Sequence, residues 1–495
     1  MPDDVMILKH LKGEGDSLRL SIWDLGGQKE FYPLHLLVLS RLAVYIVCFD
    51  MRLLSSSADP EEREKAIQFL RFWLNSVFSS SSSIEEGKGG GAPIVLVGTH
   101  KDQVASVEEQ EAISALLYRE FKDSPAFATV QQFRERDPSG GGRRTLWFFP
   151  VDNTKGLQDA VVVAMMKMIV ECVEGEEYIK RRVPFSWLDV LDTLKSCGKP
   201  AISRQDLEAI AADKGLGRTG RMVLEEEVEL MLAHLSGLGI IIYNSEASLR
   251  NLVILSPVKF LVDPFSLIVC DFTLHKELQH KTASSFFPHD WSRFISKGVL
   301  SRRLLKKLWE DFGYFEELEH LAANHGIIVP LTGVGRAEDH VEYIVPSILS
   351  KDPLPPLVRA PRFVGYLVIA ATETLERSLG SVVAVEAVRR IGIFPLGLIS
   401  MLIGKAVALG QLSSGVGQAG ADVSNLRAEE AHLSFGAHEF RVSLAPGQGC
   451  IKVDICVANP REVVSSLSRL CREVLEEHAP GLGGGFFVPA DGGRG

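Results

Sequence analysis

The chain has 495 residues, of which 46% are hydrophobic and 23% are charged, and this composition excludes a disordered or fibrous protein. The length is enough for about three globular domains, each with a core of its own. The formal net charge of −10 excludes a broad nucleic-acid surface, since such a surface needs clustered positive charge to displace phosphate counterions.

The first region alternates apolar strands with helical stretches, which is typical of a parallel sheet covered by helices on both faces. Strands are predicted at residues 18–23, 42–50, 93–98 and 145–151. Helices are predicted at residues 61–78, 107–121 and 158–173. The sequence therefore predicts a doubly wound α/β domain, interrupted by a flexible loop of serines and glycines.

The composition changes near residue 178, where charged residues give way to amphipathic helices with short intervening strands. A proline-rich joint follows near residue 355, and three apolar strands with helical runs lie beyond it. We predict an α/β domain over residues 1–178, two α+β units over 179–355 and 356–482, and a disordered glycine-rich tail over 483–495.

The first candidate motif ends the strand predicted at residues 18–23. Asp24 closes that strand, and Gly26, Gly27 and Gln28 follow. A strand-end carboxylate can hold Mg²⁺ through water, and a glycine lets its N–H approach a phosphate oxygen closely. The adjoining glutamine can orient a hydrolytic water. The alternative is an ordinary glycine-rich turn between a strand and a helix.

The second candidate motif is Thr99-His100-Lys101-Asp102, which directly follows the apolar strand at residues 93–98. A carboxylate at this point can accept hydrogen bonds from both N1–H and the exocyclic amine of guanine, and adenine cannot match that bidentate pairing. The alternative is that Asp102 caps the N-terminus of the following helix.

The order, strand context and spacing of the two motifs agree with guanine-nucleotide-binding folds, and at this point the chain resembles the Roco family. The motif Trp-Asp-Leu-Gly-Gly-Gln at residues 23–28 is typical of Roc domains. So is the motif Thr-His-Lys-Asp at residues 99–102, which stands in place of Asn-Lys-x-Asp. Strings that resemble a following COR region continue at residues 183–187, 238–243, 252–257, 343–347 and 394–398. The resemblance implies an incomplete Ras-like Roc domain followed by two α+β COR subdomains.

By this resemblance, Asp24 coordinates Mg²⁺ through water, Gly27 contacts the γ-phosphate, and Gln28 stands at the water-positioning place. A phosphate-binding GxxxxGK[ST] sequence should precede Asp24, and the printed sequence contains none there. We therefore expect the chain to lack that loop and the first switch region, and we expect hydrolysis by this chain alone to be impaired.

The same resemblance assigns the base-binding side of the site. Thr99 corresponds to the Asn of the family motif Asn-Lys-x-Asp, and His100 corresponds to its Lys, which flanks the base. Asp102 corresponds to its Asp, which recognises guanine. Asn153 lies in a loop, residues 152–156, that falls where the family has its Ser-Ala-Lys-like loop, and only backbone contacts are implied there.

The resemblance implies GTP or GDP and Mg²⁺ as ligands, a role as a signalling switch, and homodimerisation through COR. The alternative from another class is a non-catalytic COR scaffold that has lost nucleotide binding. The GxGxxG string at residues 215–220 follows a helical run instead of a strand, so we predict an interhelical loop there.

Two further observations bear on the cellular compartment. The N-terminus does not resemble a secretory signal, and the seven cysteines form no CxxC pair. Residues 391–409 approach the length of a membrane span, but Pro395, Lys405 and several glycines interrupt them. We predict a cytoplasmic protein without an integral membrane span.

Overall fold

The fold was taken from a computed structural model of the chain. The structure describes residues 22–25, 34, 38–39, 42–81, 91–136, 143–176, 183–218, 222–243, 250–274, 277–331, 341–350, 352, 354–357, 360–371, 401–402, 404–405, 426–427, 430–435, 438–445, 450–456, 460–478 and 482–487. The strand predicted at residues 18–23 lies mostly outside the described residues.

Three parallel strands form the first sheet. They are β1 (Tyr45–Asp50), β2 (Ile94–Thr99) and β5 (Phe149–Pro150), in the order β1-β2-β5. Five of the six residues of β2 are buried, because this strand is apolar throughout and lies between the other two. The predicted parallel α/β arrangement is therefore observed in this part of the chain.

Three helices accompany this sheet, namely α1 (Pro60–Ser81), α2 (Val107–Phe121) and α3 (Ala160–Gly175). Each of them begins at a capping side chain that accepts from exposed amides of the first turn, and for α1 this residue is Asp59. Ser106 Oγ accepts from the Glu109 amide at 3.2 Å, and Asp159 Oδ1 accepts from the Val161 amide at 3.0 Å. The helices and the sheet enclose one hydrophobic core.

The strand predicted at residues 145–151 is wrong as a single element. Two strands, β3 (Phe133–Arg136) and β4 (Arg143–Leu146), form an antiparallel hairpin of their own. Only Phe149–Pro150 joins the parallel sheet. The chain leaves the hairpin after Leu146, and Trp147 and Phe148 form a bend between the two strands. A continuous apolar run in the sequence does not show where the backbone changes sheets.

The next region consists mainly of helices with two small antiparallel sheets, in the orders β6-β8-β7 and β10-β11-β9. Its strands are β6 (Ala201–Ser203), β7 (Ile242–Tyr243), β8 (Leu252–Ile254), β9 (Val299–Ser301), β10 (Val329–Pro330) and β11 (Glu342–Ile344). Its helices are α4 (Phe185–Ser196), α5 (Arg204–Asp213), α6 (Leu224–Gly237), α7 (Asp263–Ser266), α8 (Leu278–Phe286), α9 (Pro288–Lys297), α10 (Arg302–Leu308) and α11 (Phe315–Asn324). The described part of the GxGxxG string, residues 215–218, forms a turn between α5 and α6.

The last region contains a five-stranded antiparallel sheet in the order β13-β14-β15-β12-β16, with helix α12 (Arg461–His478) packed against it. Its strands are β12 (Phe363–Ala371), β13 (Glu430–Phe435), β14 (His438–Ala445), β15 (Cys450–Ile455) and β16 (Leu482–Phe487).

Strand β16 differs from the expectation of a disordered tail over residues 483–495. Its glycines disfavour a strand by propensity, but they allow close packing. A Cβ atom on Gly484 would lie 2.6 Å from Cys471 Sγ of α12, so only glycine lets the strand approach the helix this closely. Residues 488–495 lie outside the described part.

The mixed α/β fold class with several sheets is confirmed, and the division into domains stays a prediction. Among the helices that the structure describes, none combines the length and the apolar character needed to cross a bilayer. Most of residues 391–409 lie outside the described part.

Candidate functional site

The backbone turns sharply where β2 ends. His100 has a φ of 63°, in the left-handed region that few residues other than glycine adopt. Its carbonyl accepts hydrogen bonds from the Gln103 amide at 3.0 Å and the Val104 amide at 3.1 Å. Thr99 Oγ1 donates to the Phe49 carbonyl at 3.1 Å, and it lies 3.0 Å from His100 Nδ1. The Thr-His-Lys-Asp loop is thereby fixed to the neighbouring strand β1.

Asp102 is exposed, and within the described part of the chain its side chain makes no hydrogen bond. Two cations lie within its electrostatic range. The pKa of Arg52 is raised mainly by its hydrogen bonds to Asp50 and, to a smaller extent, by the charge of Asp102. The pKa of Lys155 is raised by its hydrogen bond to Asp152 and also by the Asp102 charge. The carboxylate is therefore available to accept hydrogen bonds from a ligand.

The alternative that Asp102 caps the following helix is not what the structure shows. Helix α2 begins at Val107, and its capping residue is Ser106. Asp102 lies four residues before that cap, at the edge of the sheet.

A charged cluster at the end of β1 borders the same loop. Arg52 Nη2 donates to Asp50 Oδ2 at 2.7 Å, and Arg52 Nη1 donates to Gln103 Oε1 at 3.2 Å. The hydrogen bond from Arg52 holds the pKa of Asp50 below its usual value despite partial burial. His100 Nδ1 lies 3.5 Å from Asp50 Oδ1. These contacts connect the ends of β1 and β2.

The second loop follows β5 and is organised around Asp152, of which only 3% is exposed. Thr154 Oγ1 donates to Asp152 Oδ1 at 2.6 Å, and Lys155 Nζ lies 2.9 Å from Oδ2. These two side chains lower the pKa of Asp152 to about 2. Asn153 is exposed at the tip, and no hydrogen bond of its side chain is found among the described residues.

The two loops lie side by side at the carboxyl end of the parallel sheet. The Val151 amide donates to the Gly98 carbonyl at 2.8 Å, and the Lys101 amide donates to the Val151 carbonyl at 3.3 Å. Lys101 Nζ also donates to Asp159 Oδ1 at 3.0 Å. In open α/β sheets this edge is where ligands bind.

The residues expected on the phosphate side are described only in part. Asp24 is exposed in a segment, residues 22–25, without regular secondary structure. Cys48 on β1 is exposed, and partial desolvation by neighbouring atoms and, less strongly, the Asp24 charge raise the pKa of its thiol, so Asp24 lies near it. Gly27 and Gln28 lie outside the described residues. Where the structure describes the chain, no group of three His, Cys, Asp or Glu side chains is arranged to hold a metal ion.

The structure therefore brings together Thr99, His100, Asp102 and Asn153, the four residues predicted for the base side. Sequence reasoning did not single out Lys101 and Asp159, which join the two loops. The capping role of Asp159 could have been predicted from the sequence, because an aspartate directly before an apolar helical run is a typical N-cap. Nothing in the sequence pairs it with a lysine so distant along the chain.

Three curated relatives from Dictyostelium discoideum share sequence with this chain. The probable serine/threonine-protein kinase roco5 is 31% identical over 101 residues, which are 20% of this chain and 3% of that protein. The probable kinase pats1 is 37% identical over 87 residues, or 18% of this chain and 2% of that protein. The probable kinase roco6 is 30% identical over 98 residues, or 20% of this chain and 4% of that protein.

The chain is similar to Roco proteins. The resemblance drawn from the motifs is thereby confirmed, and the matched stretches span only a few per cent of the Roco relatives' own length. No protein-family model matches the chain. A solved structure of Methanosarcina barkeri Roco2 RocCORdC bound to GDP is 17% identical and covers 70% of this chain and 86% of that chain. Its TM-score of 0.44 is too low to support an argument about this chain.

Proposed function

We propose that the chain is the Roc–COR module of a Roco protein and binds guanine nucleotides at the carboxyl end of the sheet β1-β2-β5. In this proposal residues 1–178 form the Roc part, residues 179–355 and 356–482 form the two COR parts, and GTP or GDP is the ligand. Binding, and not hydrolysis, is what we propose for this chain.

The observation that carries the proposal is the state of the Asp102 carboxylate. It is exposed at the sheet edge, it belongs to the first of the two adjacent loops, and within the described residues it accepts no hydrogen bond. A guanine base offers two N–H donors on one edge, which suits such a carboxylate. A buried or already paired aspartate would not support base recognition.

The assigned neighbours have the chemistry that the proposal requires. His100 is held by Thr99 and Asp50 beside the loop, where its ring can flank the base. Asn153 stands at the tip of the second loop, where backbone amides can meet the base from the other side. We propose Asp24, Gly27 and Gln28 for the phosphate side, with Asp24 as the residue that would hold Mg²⁺ through water.

Contacts with the second region support a readout through COR. Leu34 is only 4% exposed, and it belongs to the hydrophobic core that contains Leu252 and Phe265. The Leu42 amide donates to the Gly237 carbonyl at 3.3 Å, at the end of α6. Both leucines lie between the Asp24 motif and β1 in the sequence. A displacement of that segment would therefore change its contacts with the second region. A signalling role in the cytoplasm and homodimerisation through COR complete the proposal.

The test is a titration of the purified 495-residue chain with fluorescent GDP and GTP, alongside its Asp102→Ala variant. We expect saturable binding by the unmodified chain and at least about a tenfold loss with Asp102→Ala, because two charge-assisted hydrogen bonds disappear. Asp123→Ala removes an exposed carboxylate from the same region and serves as the matched control. Absence of binding, or equal affinity of Asp102→Ala and the unmodified chain, would contradict the proposal and favour a non-catalytic COR scaffold.

A further inference from the structure

Lys101 stands between the two residues proposed to face the base, His100 and Asp102, yet its side chain points elsewhere. Its Nζ atom lies 3.0 Å from Asp159 Oδ1 and 3.3 Å from Oδ2. The lysine side chain is 30% exposed and the aspartate side chain is 5% exposed. Lys101 therefore makes a mostly shielded ion pair with a residue that follows the other loop.

Asp159 holds three groups at once. Its Oδ2 accepts from the Asp152 amide at 2.8 Å, and its Oδ1 accepts from the Val161 amide at 3.0 Å. Burial would raise the pKa of Asp159, but these amides and Lys101 together lower it below its usual value. One ionised carboxylate thus connects the first residue of the second loop, the start of α3 and the side chain of Lys101.

The backbone follows the same route as the ion pair. The Lys101 amide donates to the Val151 carbonyl, directly before Asp152. Both the main chain and the side chain of Lys101 are therefore attached to the strand and loop that carry Asn153. Residues on either side of Lys101 cannot shift relative to that loop without breaking at least one of these contacts.

A helix cap alone does not require the lysine. Asp59 caps the start of α1 by accepting from the Glu61 amide at 2.9 Å, and no lysine bond to Asp59 appears among the described hydrogen bonds. Asp159 differs from Asp59 in two ways. Its Oδ2 atom accepts from the Asp152 amide of the second loop, and the cation paired with it, Lys101, belongs to the Thr-His-Lys-Asp motif. This arrangement suits the positioning of two loops against one ligand better than helix capping by itself.

We propose that Lys101 is a positioning residue for guanine recognition: through Asp159 it sets the distance between the loop that carries Asp102 and the loop that carries Asn153. This inference rests on the proposed function and adds to it the group that aligns the two sides of the base site. Lys101 does not touch the base itself. Its loss should weaken discrimination between bases more than it weakens the fold.

The experiment compares the unmodified chain with Lys101→Met, which keeps the aliphatic stem and removes the charge, and with Lys101→Arg. Affinities are measured for GDP and for inosine diphosphate, which keeps N1–H but lacks the exocyclic amine. We expect the unmodified chain to prefer GDP, Lys101→Met to lower this preference by about tenfold, and Lys101→Arg to restore most of it. Lys65→Met breaks an exposed pair with Glu62 on α1 and should change nothing.

A second readout needs no nucleotide. Hydrogen exchange of the Asp152 amide in the unliganded chain should accelerate by about tenfold in Lys101→Met, because its acceptor Asp159 is no longer held in place. If the unmodified chain binds neither nucleotide, the proposed function fails, and the exchange rate alone decides whether Lys101 aligns the loops. Unchanged exchange, or equal losses of GDP and inosine diphosphate affinity with a lowered melting temperature, would overturn the positioning role.

Discussion

The carboxyl end of the parallel sheet and the Asp24 segment, residues 22–25, are both proposed to meet one nucleotide, but they are held very differently. At the sheet edge, Asp50, Asp152 and Asp159 each accept several hydrogen bonds, whereas Asp102 accepts none from the described residues and can accept from a ligand. The Asp24 segment has no regular secondary structure, and Asp24 is exposed.

This difference shows that the proposed base side is held by contacts within the sheet edge, whereas the described residues of the proposed phosphate side make no comparable contacts. Hydrogen bonds to partly buried carboxylates fix the two loops before any ligand arrives, which reduces the ordering cost of binding. We expect substitutions at the sheet edge to affect both stability and base choice. We expect substitutions in the Asp24 segment to leave the stability of the unliganded chain unchanged.

The largest expected effect comes from Gly98→Ala at the end of β2. A Cβ atom there would lie 2.6 Å from Met51 Cγ and 2.8 Å from Phe148 Cδ2, both in fully buried side chains. Overpacking of this kind costs about 1–3 kcal/mol, and it would displace the loop that carries Asp102. Urea unfolding followed by tryptophan fluorescence should show a lower midpoint.

Gly175→Ala is the matched control for that substitution. A Cβ atom on Gly175, at the end of α3, would meet no heavy atom within 4 Å. Its unfolding midpoint should stay the same or rise slightly, since alanine favours a helix. Equal losses in the two variants would show that the end of β2 is not tightly packed.

Asp159→Ala should have the next largest effect. It removes a helix cap, which is worth about 1–2 kcal/mol, and it also leaves the Asp152 amide and Lys101 without their acceptor. Asp59→Ala removes a comparable cap from α1 and nothing more, so the excess loss in Asp159→Ala measures the link between the loops. Chemical denaturation of the two variants makes the comparison, and equal losses would contradict the link.

A smaller effect is expected from Thr154→Val, which removes one donor to Asp152. The pKa of this carboxyl is about 2, well below its usual value of 3.8. A lowered folded-state pKa stabilises the fold above the usual value, and this stabilisation is lost as the pH falls from about 4 to about 2. The pKa of Asp152 should rise in Thr154→Val, as followed by carboxyl ¹³C shifts, and the stability difference should vanish at the acid end of that range. Thr145→Val, on the exposed side of β4, should leave the Asp152 titration unchanged.

The smallest effect is expected from Asp24→Asn. Cys48 is exposed, and neighbouring protein atoms that keep water from its thiol are the main reason that its pKa is raised, to which the Asp24 charge adds. Removing this charge should lower the thiol pKa slightly, so Cys48 should react somewhat faster with iodoacetamide while the unfolding midpoint stays unchanged. Slower alkylation, or a clear loss of stability, would show that Asp24 is held more firmly than its exposure indicates.

Local rules predicted much of the sheet edge. Helix α2 begins and ends where the sequence places it, because an apolar periodic run follows a serine that can cap it. Strand β2 was recognisable because a short apolar run ends at a turn. The residue types needed to read a base were likewise visible as a motif.

The rest depended on long-range geometry that a sequence pattern does not contain. The pairing of Lys101 with Asp159 joins residues on two different loops, and neither residue alone indicates the other. The left-handed backbone at His100 contradicts the usual preference of a residue other than glycine. Strand β16 forms despite its glycines because a partner strand and a tightly packed helix compensate for poor propensity.

The central claim is that the Asp102 carboxylate reads guanine, and a change of base preference tests it most directly. In Asp102→Asn the amide can donate to the C2 carbonyl of xanthine and accept from its N1–H, whereas it would face the guanine amine with a donor. We predict that the unmodified chain binds GDP more tightly than xanthosine diphosphate and that Asp102→Asn reverses this order. Retention of the GDP preference by a folded Asp102→Asn variant would contradict the account.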